Sequence, residues 1–315
     1  MVIIKYGIIN NNIDVTDIAL TKCMKENIIF IPKNDHARAS YFSDPLLNIL
    51  KSIFIIVNDN VCFEMDHNEN IYIDITNDQI YTDENVPESI REIHTNSYEK
   101  KLLNIHSLLQ IEYGSFTQEL PEQMMAVTYL TGDEKVLELG GNIGRNSLII
   151  GHILREKQNN NFVTLECDSD ICKQLTHNRD LNNMTFYIEN SALSKRNLIQ
   201  LGWDTIVSDV VLSGYKPVSI ISYDELKIKY NIDFDTLVLD CEGAFYYILM
   251  DMPEILNGIK LIIMENDYHD YNHKLFIDDV LRKNNFNVVY QEEGGWDPCY
   301  NVFFEVWKRD DVILS

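Results

Sequence analysis

The sequence predicts a doubly wound α/β fold with a Rossmann-like sheet, and three observations lead to that prediction. Short apolar runs alternate with amphipathic stretches along the C-terminal two-thirds of the 315 residues. A glycine-rich turn follows the first apolar run of this series, and the last two apolar runs have no helix between them. Parallel strands require crossover segments that cover both faces of a sheet. The order therefore predicts a parallel sheet between helices, with an antiparallel final strand.

The predicted elements follow in chain order from residue 136. Apolar runs bounded by turn residues predict strands, and runs with helical spacing of apolar residues predict helices. The strands are expected at 136–140, 162–167, 184–190, 235–241, 259–266, 286–293 and 300–308. The helices are expected at 147–157, 169–179, 244–252 and 273–284.

The N-terminal part has a different pattern. In residues 1–82, short apolar runs are separated by turns rich in Asn and Asp, which predicts a small β-rich or mixed module. Residues 83–118 are polar and helical in character, and are expected to connect this module to a main domain at 119–315. The charged stretch Lys33–Arg38 is interpreted as a surface loop, with substrate binding or a contact between copies as alternatives.

Charge and composition restrict the classes of partner. The chain has 49 acidic and 26 basic residues, for a formal net charge of −23. This charge opposes binding to nucleic acid and to anionic membrane surfaces, which attract Lys and Arg. No apolar run reaches the roughly 20 residues that span a bilayer, so a cytoplasmic protein is expected. The six cysteines form no C-x-x-C pair, which argues against a zinc site and a disulfide framework.

The glycine-rich turn carries the main chemical signal, Glu138-Leu-Gly-Gly-Asn-Ile-Gly144. Glycine lets the backbone approach a ligand closely, as Gly140 and Gly144 would do here. Asn142 replaces the second glycine of the dinucleotide-binding pattern. The carboxylate of Glu138 would repel a pyrophosphate, and it suits a ligand with a cationic amino acid end. An NAD-dependent oxidoreductase is therefore disfavoured.

Residues after the next two strands complete the predicted nucleoside site. Glu166 ends the second strand, where a carboxylate accepts hydrogen bonds from ribose hydroxyls in doubly wound folds. The third strand is followed by Asn190, Ser191 and Ala192, where an adenine edge would lie. The full predicted cofactor-binding set is Glu138, Gly140, Asn142, Gly144, Glu166, Cys167, Asn190, Ser191, Ala192 and Asp240.

Over roughly residues 120–309 the sequence resembles FkbM-type methyltransferases. The motifs that carry the resemblance are Glu138–Gly144, Leu165–Asp168, Asn178, Asn190–Ser194, Ile221-Ser-Tyr-Asp-Glu-Leu226 and Leu239-Asp-Cys-Glu-Gly-Ala244. The resemblance implies a class I methyltransferase fold, S-adenosylmethionine as the methyl donor and usually O-methylation, often of a sugar hydroxyl. The sequence departs from the family pattern at Phe245, where a further acidic residue is common.

Candidate catalytic residues follow the fourth and fifth strands. Asp240 and Glu242 lie at the edge where doubly wound folds bind ligands, and either could accept a hydroxyl proton. His269 is a further candidate base, because histidine titrates near neutral pH. The alternative is that Asp240 and Glu242 only cap the next helix and that His269 is a surface residue. Glu265 and Asp267 lie nearby, but no tight ligand triad is visible, so no metal is predicted, although a divalent cation stays an open alternative.

Two further segments have structural and functional interpretations. Glu122 begins a helix whose methionines are expected in the core, and it could lie over the amino acid end of the donor. Gly294–Asp297 is interpreted as a hairpin turn, with a rim over the acceptor pocket as the alternative.

The leading prediction is an O-methyltransferase that acts on a sugar or glycan hydroxyl and uses S-adenosylmethionine. A cap-type RNA methyltransferase would need a basic groove and a Lys-Asp-Lys-Glu arrangement, and neither is found in the sequence. A catalytically silent nucleoside-binding scaffold would have no physical reason to keep Glu138, Glu166 and Asp240 together. The expected partner is a small-molecule or glycan acceptor, and self-association into a homo-oligomer stays open.

Overall fold

The computed structural model describes residues 2–46, 49–57, 61–94, 97–202 and 204–310. The side chains of His36, Ser40, Val61 and Cys62 lie outside that description. The chain folds as two compact units, Met1–Ser97 and Tyr98–Ser315. Within the described residues, no helix combines the length and the apolar character that crossing a bilayer requires.

The first unit is built mainly of strands, which form two antiparallel four-stranded sheets in the orders β2-β1-β5-β6 and β3-β4-β7-β8. Alternate residues of both sheets enter one apolar core, as the two-residue period of a strand requires. The strands are β1 Val2–Ile8, β2 Asn11–Asp14, β3 Met24–Lys25, β4 Ile28–Ile31, β5 Ser52–Val57, β6 Val61–Met65, β7 Ile71–Asp74 and β8 Gln79–Thr82. The helices are α1 Thr16–Ile18, a π-helical turn Ala19–Cys23, α2 Asp35–Phe42 and α3 Glu88–His94.

Helix α2 corrects one interpretation of the sequence. The stretch Lys33–Arg38 is not a surface loop, because α2 begins at Asp35 and brings Arg38 into the interior. The Arg38 guanidinium donates to the backbone oxygens of Pro32 and Glu69, both at 2.8 Å. The sequence pattern could not show this, since burial of a cation depends on carbonyl oxygens that are distant along the chain.

The second unit contains the main sheet, which has seven strands in the order β11-β10-β9-β17-β18-β20-β19. Its sheet strands are β9 Val136–Leu139, β10 Phe162–Leu165, β11 Tyr187–Glu189, β17 Thr236–Leu239, β18 Leu261–Glu265, β19 Phe286–Glu292 and β20 Phe304–Arg309. Its helices are α4 Ser97–Leu108, α5 Leu120–Tyr129, α6 Arg145–Glu156, α7 Ser169–Leu181, α8 Tyr223–Tyr230, α9 Phe245–Asp251 and α10 Tyr271–Lys283, with 3-10 turns Pro253–Leu256 and Tyr300–Val302.

The direction of the strands follows from their pairing. The strands β11, β10, β9, β17 and β18 pair in parallel, whereas β20 runs antiparallel to both β18 and β19. Every residue of β9, β10 and β17 is buried, as expected for parallel strands covered on both faces. The predicted mixed α/β class is confirmed, and the carboxyl ends of β9, β10, β17 and β18 meet at one edge of the sheet.

A segment without a predicted structure forms small sheets between β11 and β17. The strands β13 Leu198–Leu201, β14 Asp204–Val207 and β15 Lys216–Val218 form an antiparallel sheet, and β12 Ala192–Leu193 pairs in parallel with β16 Ile220–Ile221. Helix α8 follows with a capping box, in which Ser222 and Glu225 each satisfy a backbone amide of the other. The Ser-Tyr-Asp-Glu-Leu motif therefore has a structural role in starting a helix.

The division of the chain into 1–82, 83–118 and 119–315 stays a prediction. Within the predicted connector, α3 belongs to the first unit and α4 to the second. Cys23, Cys167, Cys172, Cys241 and Cys299 are free thiols.

Candidate functional site

The glycine-rich turn joins the ends of three strands. Gly140 has φ +89°, and a Cβ atom there would lie 1.6 Å from the backbone oxygen of Asp240. The amides of Gly140 and Gly141 donate to the Leu165 oxygen at 3.0 and 2.8 Å. The turn after β9 is therefore held against both β10 and β17. Gly144 is the N-cap residue of the helix α6 that follows.

A second glycine fixes the turn after β17. Gly243 has φ +77°, and a Cβ atom there would lie 2.9 Å from the backbone oxygen of Asp267. This close approach holds the segment Asp240–Gly243 against the segment that follows β18. Two acidic turns that are distant in sequence thus lie side by side.

Glu138 lies at the base of a cleft between these turns. Its side chain is 2% exposed and accepts a hydrogen bond from the Ser147 hydroxyl. Burial raises the pKa of Glu138 to about 7, although hydrogen bonds from Ser147 and Thr164 favour the charged form. An anionic Glu138 is therefore costly by itself, and a cationic ligand would stabilise it.

Glu138→Gln is expected to change how stability depends on pH. The Glu138 pKa is higher in the folded chain than its ordinary 4.5, so the stability that the protonated group contributes is lost as pH rises towards about 7. The margin is the free energy of unfolding of the variant minus that of the parent. It should widen in favour of the variant by about 3 kcal/mol between pH 4.5 and 8.

This margin can be measured by urea unfolding followed by tryptophan fluorescence, since all three tryptophans lie in Tyr98–Ser315. Asp133→Asn, at an exposed carboxylate of the same unit, is the matched control and should show no such widening. A constant margin for Glu138→Gln across this pH range would contradict the prediction.

Glu166 is held in a fixed position beside the glycine-rich turn. Its two carboxylate oxygens accept the amides of Asn142 at 3.0 Å and Asp168 at 2.8 Å. Burial raises its pKa, and the two amides act in the opposite direction. The Asn190 amide donates to the Glu166 backbone oxygen at 2.7 Å. The structure therefore brings Asn142, Glu166 and Asn190 together.

Three further predicted cofactor-binding residues, Cys167, Ser191 and Ala192, follow the strands β10 and β11. The Ser191 hydroxyl is buried and donates to Glu189 at 3.2 Å, within the protein interior. Ala192 begins the short strand β12. Burial raises the pKa of the Cys167 thiol to about 11, so it is a neutral group beside Glu166. The hydroxyl of Ser191 is thus already used in internal bonding.

A group of carboxylates lies at the ends of β17 and β18. One carboxylate oxygen from each of Asp240, Glu265 and Asp267 lies within 4.8 Å of the other two. Asp240 and Glu265 line a cleft together with Glu138 of β9. Two more carboxylates line the same cleft: Glu122, which lies in α5, and Glu119, which directly precedes that helix. The structure therefore brings together three carboxylates at a mutual spacing that the sequence does not show.

The carboxylates disturb one another. Burial raises the pKa of Asp240 well above its ordinary value, and the neighbouring Glu119 and Asp267 raise it further. Burial and the charge of Asp240 raise the pKa of Glu265 to about 11, and burial and Glu242 raise that of Asp267 to about 7. Repulsion of this kind is relieved when a proton or another positive charge enters.

The three predicted catalytic residues lie at different distances from the cleft. Asp240 lines the cleft. Glu242 and His269 are exposed, and neither is among the described residues that line the cleft. Burial raises the pKa of Glu242, and the charge of His269 lowers it, so these two side chains are neighbours. The His269 ring packs on Trp296, with centroids 4.5 Å apart.

Helix capping does not explain Asp240 and Glu242. The residue that precedes α9 is Ala244, and no side chain forms a cap hydrogen bond there. The capping alternative is therefore wrong.

Several lining residues were missed in the sequence. Glu119 is bound to Arg145, and the cleft wall also contains Met125, Asn146 and Met264. An acidic residue before a proline-initiated helix is too common a pattern to indicate a site.

Comparison of the chain with known proteins does not assign it to a family. No known protein family matches the chain, and no curated protein matches it in sequence. Among solved structures, a ribosomal protein L11 methylase from Lactobacillus delbrueckii subsp. bulgaricus is similar with a TM-score of 0.40 and 11% identity, over 64% of this chain and 82% of that chain. An O-methyltransferase from Bacillus cereus in complex with SAH has a TM-score of 0.35 and 12% identity, over 68% of this chain and 90% of that chain. These values are too low to assign an activity.

Proposed function

We propose that this chain is a class I, FkbM-type methyltransferase that uses S-adenosylmethionine to methylate a hydroxyl group of a sugar or glycan. The observation that carries the proposal is the acidic cleft at the glycine-rich turn, on the carboxyl edge of the main sheet. In this sheet the antiparallel strand β20 lies between β18 and β19. Doubly wound folds bind ligands at this edge. A cleft lined by carboxylates selects a cationic ligand over a pyrophosphate.

The residues of the cleft fit S-adenosylmethionine, which carries a sulfonium and an ammonium group and has no phosphate. Glu166 would accept hydrogen bonds from the ribose hydroxyls, and Asn190 lies beside it for the adenine edge. Gly140 packs directly on the Asp240 backbone oxygen, so the turn after β9 and the turn after β17 lie side by side along the cleft. Glu122 lines the same cleft, and its carboxylate would face the cationic amino acid end of the donor. When bound, the donor supplies an electrophilic methyl group.

The chain's own residues would prepare the acceptor hydroxyl. Asp240 is the candidate to take its proton, because this carboxylate lines the cleft and its pKa is raised by burial and by neighbouring carboxylates. A cationic donor would lower that pKa and make Asp240 available as a base. Glu242 and His269 would carry the proton onwards to solvent, since both are exposed. Met125 and Met264 keep part of the cleft wall apolar.

The preference for a glycan rests on the FkbM resemblance and on Trp296. This ring is 37% exposed and packs against His269, so it offers an apolar face beside the proposed catalytic groups. Sugar rings stack on such faces. An RNA acceptor is disfavoured by the acidic cleft and the net charge of −23. The cytoplasmic location and self-association stay predictions.

Calorimetric titration with S-adenosylmethionine, S-adenosylhomocysteine and NAD tests the proposal. We expect micromolar binding of the first two and none of NAD. Glu166→Gln should weaken donor binding at least about tenfold, because a charge-assisted hydrogen bond to the ribose is lost. Glu156→Gln is the matched control and should bind as the parent does. If neither S-adenosylmethionine nor S-adenosylhomocysteine binds, the scaffold alternative is favoured.

A further inference from the structure

Three of the carboxylates at the ends of β17 and β18 have the spacing of ligands to one ion. The oxygens offered by Asp240, Glu265 and Asp267 are mutually within 4.8 Å. Ligands bound to one Mg²⁺ or Ca²⁺ at about 2.1–2.5 Å are at most about 4–5 Å apart. The three side chains therefore need little or no movement to share a cation.

These carboxylates lack the lysines that neutralise other buried carboxylates of the same unit. Glu189 is paired with Lys229 at 2.6 Å, and Glu305 with Lys274 at 2.9 Å. Among the described residues, no Lys or Arg forms a salt bridge with Asp240, Glu265 or Asp267, and the nearby Arg145 is bound to Glu119. Asp267 is buried, and Asp240 and Glu265 are partly buried, so a group of like charges without a counterion is costly here and a bound cation removes that cost.

A second observation comes from a different element. Glu122, on α5, is 8% exposed and lines the same cleft as Asp240 and Glu265. Its Oε2 is buried and has no hydrogen-bond partner in the described ranges. Buried polar atoms are nearly always satisfied in native proteins, so this oxygen is available to bind a ligand, or a water that a ligand holds. An ion at the three carboxylates would supply either.

We infer that Asp240, Glu265 and Asp267 bind one hard divalent cation, of the Mg²⁺, Mn²⁺ or Ca²⁺ type, with Glu122 facing it across the cleft. All the donors are carboxylate oxygens, which hard cations prefer. Cation binding requires only these side chains and is independent of the proposed function. Its consequence, an acceptor hydroxyl made more acidic by a cation beside Asp240, rests on the proposed function.

Binding of Mn²⁺ to the purified full chain, without any methyl donor, tests the inference. Electron paramagnetic resonance measures free Mn²⁺, and we expect one equivalent to become bound. Asp267→Asn should weaken this binding by more than about tenfold, because a charged ligand is replaced by a neutral one. Asp133→Asn removes one charge from an exposed position of the same unit and should bind Mn²⁺ as the parent does.

Thermal unfolding distinguishes a folded variant that has lost the cation site from a variant that does not fold. Mg²⁺ or Ca²⁺ should raise the Tm of the parent above its value in EDTA, since a ligand of the folded state stabilises it. In EDTA, Asp267→Asn should melt at or above the parent, because a like charge has been removed from the group, and added cation should not raise its Tm further.

The outcomes separate this inference from the proposed function. A parent chain that binds no Mn²⁺, or an Asp267→Asn variant that binds it as tightly as the parent, would overturn the cation site. If S-adenosylmethionine binds and Mn²⁺ does not, only the cation site fails. If Mn²⁺ binds and S-adenosylmethionine does not, only the proposed function fails.

Discussion

Asp240→Asn is expected to lower kcat at least about a hundredfold while the donor Kd changes only a few-fold, as for the loss of an acid–base group. This corresponds to about 2.7 kcal/mol in the activation free energy. The physical reason is that the amide keeps the shape of the side chain but can neither take a proton nor supply a charge. Steady-state kinetics with a methylated-sugar acceptor screen, combined with donor titration, measures both quantities.

Asp235→Asn is the matched control for this experiment. Asp235 directly precedes the same strand, β17, at the opposite edge of the sheet, where its Oδ1 accepts the amide of Lys135 at 2.9 Å. An asparagine keeps that acceptor while it removes one charge. The control should retain kcat, and unchanged turnover in Asp240→Asn itself would exclude Asp240 from the mechanism.

Gly140→Ala is expected to destabilise the second unit by about 3 kcal/mol or more, through a positive φ and a steric clash together. The new Cβ would lie 1.6 Å from the Asp240 backbone oxygen, so β9 and β17 would have to separate at the cleft. Donor binding should be lost with the turn. Urea unfolding by tryptophan fluorescence and calorimetric titration measure the two effects.

Gly214→Ala separates the two causes. Gly214 has φ +86°, close to the +89° of Gly140, but the nearest atoms to its Cβ position are the Leu201 methyl groups at 3.9 and 4.0 Å. This variant should lose only the about 1–2 kcal/mol that a left-handed conformation costs an alanine. Equal losses in the two variants would show that the contact with Asp240 does not hold the turn.

The main sheet and part of the site could be predicted from the sequence because their signals are local. Four-residue strands such as β9 and β17 are buried throughout, and continuous apolar runs reveal them. Glu138 and Glu166 each lie at or next to the end of such a run. Their position at the same edge of the sheet then follows from the rule that parallel strands end at one edge.

The carboxylate group could not be predicted because it depends on contacts between distant segments. Glu122, Asp240 and Asp267 come from three parts of the chain. The packing of Gly140 on the Asp240 backbone oxygen and of Gly243 on the Asp267 backbone oxygen helps to hold the last two together. Ser191 stays a predicted contact of the adenine, and the structure adds that its hydroxyl donates to Glu189. Sequence spacing specifies where a residue lies and not which way its side chain points.

The unpaired carboxylates also affect how long the protein survives. Charge repulsion among these carboxylates lowers the free energy of unfolding, and ligands that relieve it protect the folded chain by mass action. Proteases act on the unfolded fraction, so that fraction should rise when cationic ligands are scarce. The same side chains that would prepare a hydroxyl for methylation would thereby link the cellular amount of this protein to the supply of its ligands.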